Sequence, residues 1–283
     1  MIARVFAYLQ TMRLIICLFA AIMALEGYWL AVHRFEVASL APVFAAIAAG
    51  SGLAFANVLN DILDLEADRL NHPRRALPSG KITRAEASGL AGVLCVVSLL
   101  SSFLAGGLMF LLALGLLALS LVYNLWAKKI PILGNFIVAL SGALILATGA
   151  CLAPGSDFPI FPLLATLTFL LAREFLETVS DAPGDQMSGR SSIATLWGKA
   201  RVLQICFGLA LASVVLLVIP AVWLRSSDAR LLYLLTVALI SILPGVGFMI
   251  AIWKDQSLRN IHAVIYRTRL VLFSSLISLL WLV

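Results

Sequence analysis

Runs of about twenty apolar residues recur along the whole chain, separated by short polar connections. A helix of that length rises about 30 Å, enough to cross the hydrocarbon core of a bilayer. The pattern predicts nine spans, at 14–32, 38–59, 87–105, 107–125, 132–151, 159–177, 202–222, 231–252 and 265–283. Most turns between them are short. Phe103 to Met109 reads as a tight reversal at Gly106-Gly107, and Cys151 to Pro162 as a Pro/Gly connection. Two polar connections are long, at 61–86 and 178–201. The expected fold class is therefore all-α: a polytopic membrane protein whose nine transmembrane helices form one bundle and one domain over 1–283. The first run contains Glu26-Gly27-Tyr28-Trp29 and no clear small-residue cleavage site, so it is expected to be retained.

Composition agrees. The chain is 62% hydrophobic and 12% charged, against about 25% charged in soluble domains. That leaves too little polar surface to cover a soluble globule. Charge also orients the spans. All 20 Lys and Arg except Arg34, Arg225 and Arg230 fall on one side of a nine-span arrangement. By the positive-inside rule the N-terminus and both long connections are cytoplasmic, in a cell inner membrane, with the C-terminus on the far side. The four cysteines stand singly, with neither a metal-ligand spacing nor a disulfide framework. The net charge of +6 suits anionic lipid or an anionic substrate, and nothing points to nucleic acid.

The acidic residues are not scattered. Asn57, Asp61, Asp64 and Asp68 are spaced by four, three and four, a stripe about 16 Å long on one face of a continuous helix. Such a stripe repels itself unless positive charge sits against it. Arg69, Arg74 and Arg75 are near in sequence, and a divalent cation is the other remedy. Magnesium favours one or two carboxylates completed by phosphate oxygens. The second long connection repeats the theme in Glu174, Glu177, Asp181 and Asp185. Pro183-Gly184 is expected to break the helix, so that Asp185 projects from a turn. Two carboxylate groups rimmed by Arg and Lys suit a diphosphate held through Mg2+. A solvated loop of random charge accounts for the charges but not for the striped spacing at two span ends. A cation-coupled transporter is the reading from another class, and it expects polar residues near the bilayer midplane. Glu26 and the tryptophans near span ends read as interfacial.

These residues resemble the UbiA superfamily of intramembrane prenyltransferases. Asn60-Asp61-Ile62-Leu63-Asp64-Leu65-Glu66-Ala67-Asp68 is similar to its first motif, and Asp181 to Asp185 to its second. Tyr123, Lys128 and Gly134-Asn135 lie in a segment that looks like the one between them. The resemblance implies a UbiA-type nine-helix bundle. It implies Mg2+ bound by Asn60, Asp61, Asp64, Asp68, Asp181 and Asp185, with a polyprenyl diphosphate donor. Asp61, Asp64, Asp181, Asp185 and Lys128 would be catalytic. Asn57, Asn60, Arg75, Tyr123 and Arg190 would bind substrate. Asn71, Pro73, Arg75 and Pro78-Ser79-Gly80 look like the branches that form digeranylgeranylglyceryl phosphate, chlorophyll and homogentisate products, more than the 4-hydroxybenzoate branch. The implied acceptor is lipid-soluble, a prenylated glycerol phosphate within the membrane lipid. An aromatic acceptor and a terpene cyclase of the same superfamily are the alternatives.

Overall fold

The computed structural model describes residues 2–32, 39–153, 158–187, 189, 191–224 and 227–282. All regular elements among them are helical. The chain divides into two compact units. The first comprises residues 1–28, 35–125 and 145–156, and the second residues 29–34, 126–144 and 157–283.

Local chemistry sets the helix boundaries. The first helix, α1 (Ile2–Met12), stops at Arg13, whose φ of 56° takes the backbone into the left-handed region before α2 (Leu14–Val32) begins. Next come α3 (Ala41–Leu63) and α4 (Leu65–Asn71), divided at Asp64. The stripe from Asn57 to Asp68 is thus not on one continuous helix as expected. Asp64 sits at φ −94°, ψ 9°, and the break lets Leu65 turn into the core. Helix α5 (Arg84–Ala105) opens with a capping box: the Thr83 hydroxyl accepts from the Glu86 N–H at 3.2 Å, and the Glu86 carboxylate accepts from the Thr83 N–H at 2.7 Å. Gly106, at φ 147°, is the single residue between α5 and α6 (Gly107–Leu125), as the glycine pair predicts. Then follow α7 (Leu133–Ala150) and α8 (Ile160–Met187). Part of the connection from Cys151 to Pro162 lies outside the described residues. The chain ends with α9 (Ile193–Trp197), α10 (Lys199–Val218), α11 (Ser227–Val237), α12 (Leu243–Lys254) and α13 (Leu258–Leu279).

The expected break at Pro183 is absent. Helix α8 runs through it to Met187. Proline removes one backbone donor, and here that loss falls in the last turns of a 28-residue helix, where it interrupts little.

In lipid, burial of apolar surface does not drive helices together, so small residues and hydrogen bonds do. Within the first unit a Cβ on Gly27 would stand 1.9 Å from the Leu146 carbonyl oxygen, and one on Gly149 would stand 1.7 Å from that of Ala24. The α2 and α7 backbones meet through these two glycines. The Ser98 hydroxyl of α5 donates to the Ala48 carbonyl of α3 at 2.9 Å. Near this α2–α7 crossing Glu26 is buried within the protein. It is 5% exposed, and its carboxyl oxygens have no hydrogen-bond partner among the described residues. In the second unit the Ser213 hydroxyl of α10 donates to the Ala165 carbonyl of α8 at 2.9 Å.

Seven segments among the described residues are long and apolar enough to cross a membrane: 14–32, 41–63, 84–105, 107–125, 133–150, 199–222 and 227–254. The protein is an integral membrane protein with an all-helical fold. The expected nine is not reached by this measure. The other two long helices carry more charge: α8 holds Arg173, Glu174 and Glu177, and α13 holds Arg259 and Arg267.

Candidate active site

The long connection after α4 is folded, not loose. Ala76, Leu77 and Ile82 are buried with Phe55, Val58, Ile62 and Leu65. Turn bonds from the Ser79 N–H to the Arg75 carbonyl (3.0 Å) and from the Lys81 N–H to the Ala76 carbonyl (3.0 Å) shape it. This packing aims Arg75 at the acidic helix end. Arg75 donates to Asp68 at 2.7 Å and lies 4.0 Å from Asp61.

A second guanidinium comes from the α1–α2 junction. Arg13 donates to the Asn57 side-chain oxygen at 3.1 Å and to Asp61 at 3.0 Å. The Asn57 amide donates in turn to the Met12 carbonyl at 3.1 Å, which ties this junction to α3. Asp61 is 4% exposed and Asp68 5%, so both carboxylates are nearly dry and have arginine beside them. A buried carboxylate that keeps its charge needs such partners.

Asn60 faces another way. Its amide donates to Asp64 at 2.9 Å and to the side-chain oxygen of Asn124, on α6, also at 2.9 Å. Asn124 is buried and is fixed by donating to the Ser120 carbonyl at 2.9 Å. Asp64 remains partly exposed, as does Tyr123 beside Asn124. The first unit thus brings together Asn57, Asn60, Asp61, Asp64, Asp68 and Arg75. Sequence reading left out Arg13 and Asn124. Arg13 entered as a positive charge before a span and not as a site residue. Asn124 carried a signal, being an amide in the last turn of an apolar run.

The second unit holds the other residues. Lys128 lies in a 3-10 turn, Ala127–Lys129, and is half-buried. On α8, Arg173 donates to Glu174 at 3.2 Å and also bonds Glu177. Glu177, Asp181 and Asp185 follow at intervals of one turn, along about 12 Å of one face. Asp181 is exposed and Asp185 partly so. Arg190 lies outside the described residues.

Among the described residues no three His, Cys, Asp or Glu side chains close around a point as a metal cage. The donors are hard oxygens, some accessible and some held by arginine. An open set of that kind fits a cation that phosphate oxygens complete, rather than a structural metal.

The chain is an integral membrane helical protein with guanidinium-bound carboxylates at one helix end and a second acidic stripe. Residues 14–275 match the UbiA prenyltransferase family, and the chain belongs to that family. It is a prenyltransferase. It is 36% identical over 199 residues to the digeranylgeranylglyceryl phosphate synthase of Sulfolobus acidocaldarius, covering 68% of this chain and 70% of the relative. A solved structure from work on digeranylgeranylglyceryl phosphate synthase in membranes superposes with a TM-score of 0.77 at 25% identity, over 98% of this chain and 97% of that one. A UbiA homologue from Archaeoglobus fulgidus, bound to GPP and Mg2+, shares the fold with a TM-score of 0.70 at 18% identity, over 95% of this chain and 98% of that one.

Proposed function

We propose that this protein transfers a prenyl group from a polyprenyl diphosphate to the free hydroxyl of a prenylated glycerol phosphate. The observation that carries the diphosphate part is the end of α3, where Asp61 and Asp68 are gripped by Arg13 and Arg75 while Asp64 stays accessible. The likeness to the Sulfolobus synthase supports the acceptor. We assign Asn60, Asp61, Asp64, Asp68, Asp181 and Asp185 to holding Mg2+. Bound there, Mg2+ would neutralise charge on the diphosphate as its bond to carbon weakens.

The chain's own residues do the rest. Lys128, Arg75 and Arg190 bind the diphosphate and stabilise the negative charge that grows on it as the allylic C1–O bond breaks. Asn57 holds Arg13 against Asp61, Asn60 orients Asp64, and Tyr123 flanks Asn124 beside them. The acceptor oxygen forms the new bond to C1 and its proton leaves with the diphosphate. Apolar helices exclude water, which would otherwise capture the electron-poor carbon. We read α8 and α13 as the sixth and ninth spans of a single domain, their charges turned from lipid. The N-terminus and the acidic ends are then cytoplasmic, in a cell inner membrane.

The test is an acceptor panel. Purified protein, Mg2+ and labelled geranylgeranyl diphosphate are incubated with a prenylated glycerol phosphate, its dephosphorylated form and a phenolic acid. The phosphate form is expected to be prenylated fastest, and the dephosphorylated one far more slowly. Ready prenylation of the phenolic acid with the glycerol phosphate ignored would overturn the acceptor and leave the donor assignment standing.

A further inference from the structure

Between α11 and α12 the helix widens into a π turn, Ala238–Ile242, closed by the Leu243 N–H bonding the Ala238 carbonyl. Pro244 follows and brings no N–H, so one carbonyl of this turn lacks its backbone donor. Single π turns inside helices recur at functional sites. Ser241 lies in this one. It is 7% exposed, and its hydroxyl has no hydrogen-bond partner among the described residues.

That residue lines an open-mouthed cleft within the second unit, with about 60 Å3 of enclosed space. Phe169, Val214, Leu217 and Met249 give it apolar walls. Two further hydroxyls line it, and both have spent their hydrogens. Thr166 donates to the Pro162 carbonyl at 2.9 Å, and Ser213 to the Ala165 carbonyl at 2.9 Å. Each therefore offers only lone pairs, whereas Ser241 still has a hydrogen to give. A hydroxyl on the occupant satisfies both demands, since it accepts from Ser241 and donates to Ser213 or Thr166. No charged side chain is among the described residues lining the cleft, so the occupant is neutral. Two of its walls belong to the apolar spans 199–222 and 227–254, which suits an occupant that partitions into the bilayer. From Thr166 to Asp181, α8 rises about 22 Å, which separates this cleft from the acidic stripe.

We propose that the cleft binds a neutral lipid alcohol, a single apolar chain carrying one hydroxyl. The assignment does not depend on the reading of the acidic helix ends. Gly245 makes it testable, because it lines the cleft and a Cβ there would meet nothing within 4 Å. Gly245→Leu therefore fills the space without a backbone clash.

The experiment titrates the full-length protein in detergent, by native mass spectrometry, with geranylgeraniol, with hexadecanol and with the hydrocarbon matching each. The alcohols are expected to bind about tenfold more tightly than their hydrocarbons, the size of one net hydrogen bond. Whichever alcohol binds more tightly identifies the chain as isoprenoid or acyl. Ser241→Ala should erase the preference for alcohol, and Gly245→Leu should abolish binding of both. Prenyl transfer should be unchanged in both variants, which shows that they fold. Equal binding of alcohol and hydrocarbon by the parent protein, no binding at all, or a preference that survives Ser241→Ala would each overturn the proposal. So would undiminished binding by Gly245→Leu.

Discussion

Asp61 sits almost dry between two guanidiniums, Arg13 at 3.0 Å and Arg75 at 4.0 Å. Removing the nearer one strands a buried charge. Arg13→Ala is expected to lower stability by about 1–3 kcal/mol, read as thermal unfolding in detergent, and Arg13→Lys by less. Pairing Arg13→Ala with Asp61→Asn should recover much of the loss, because the stranded charge is then gone. A double variant no more stable than Arg13→Ala alone would show that the pair does not act as a unit. The carboxylates of this site were legible in the sequence because a helix repeats every 3.6 residues, and the spacing from Asn57 to Asp68 follows that repeat. Their partners were not. Arg13 reaches Asp61 only because the backbone at position 13 turns left-handed, and Asn124 reaches Asn60 only because α6 packs beside α3. The Arg13 contact has no local signal, and the amide of Asn124 in an apolar run signals a polar role without naming its partner.

At the scale of helices, proline and glycine mark the outcomes. Pro183 was read as a stop, and α8 passes through it, so Glu177, Asp181 and Asp185 lie on one face rather than on a helix and a turn. Pro183→Ala restores the missing donor and keeps that face. Prenyl transfer is therefore expected to stay within a few-fold of the parent. A collapse of activity would mean that the proline shapes the site. Gly106 was read as a reversal and is one, because only its positive φ joins α5 to α6 in a single residue. Gly27 and Gly149 gave no reading at all, since close approach is a property of two helices and not of one. Gly149→Ala would force a Cβ to within 1.7 Å of the Ala24 carbonyl oxygen, so α2 and α7 must move apart. We expect a loss of at least about 1–3 kcal/mol, seen as a lower unfolding temperature. Gly89→Ala, where a Cβ meets nothing within 4 Å, is the control and should not lose stability.

For the whole molecule, hydropathy made the membrane location plain and left the span count to tertiary structure. The seven apolar spans follow from length and composition. Helices α8 and α13 carry charge that sequence alone cannot assign to lipid or to protein. We propose that the division of Lys and Arg orients the bundle, so a cysteine at Ser79 is expected to be labelled from the cytoplasm and one at Ser227 from the opposite side. Labelling of both from one side would contradict the nine-span arrangement. The central claim is that the acidic groups hold a diphosphate through Mg2+. It is tested most directly by Mg2+-dependent binding of labelled geranylgeranyl diphosphate to the parent protein and to Asp64→Asn and Asp181→Asn, one substitution in each unit. The account predicts tight binding that chelation abolishes and a loss of at least about tenfold in each variant, with unfolding temperatures near the parent's. Full binding in either variant, or binding indifferent to chelation, would contradict it.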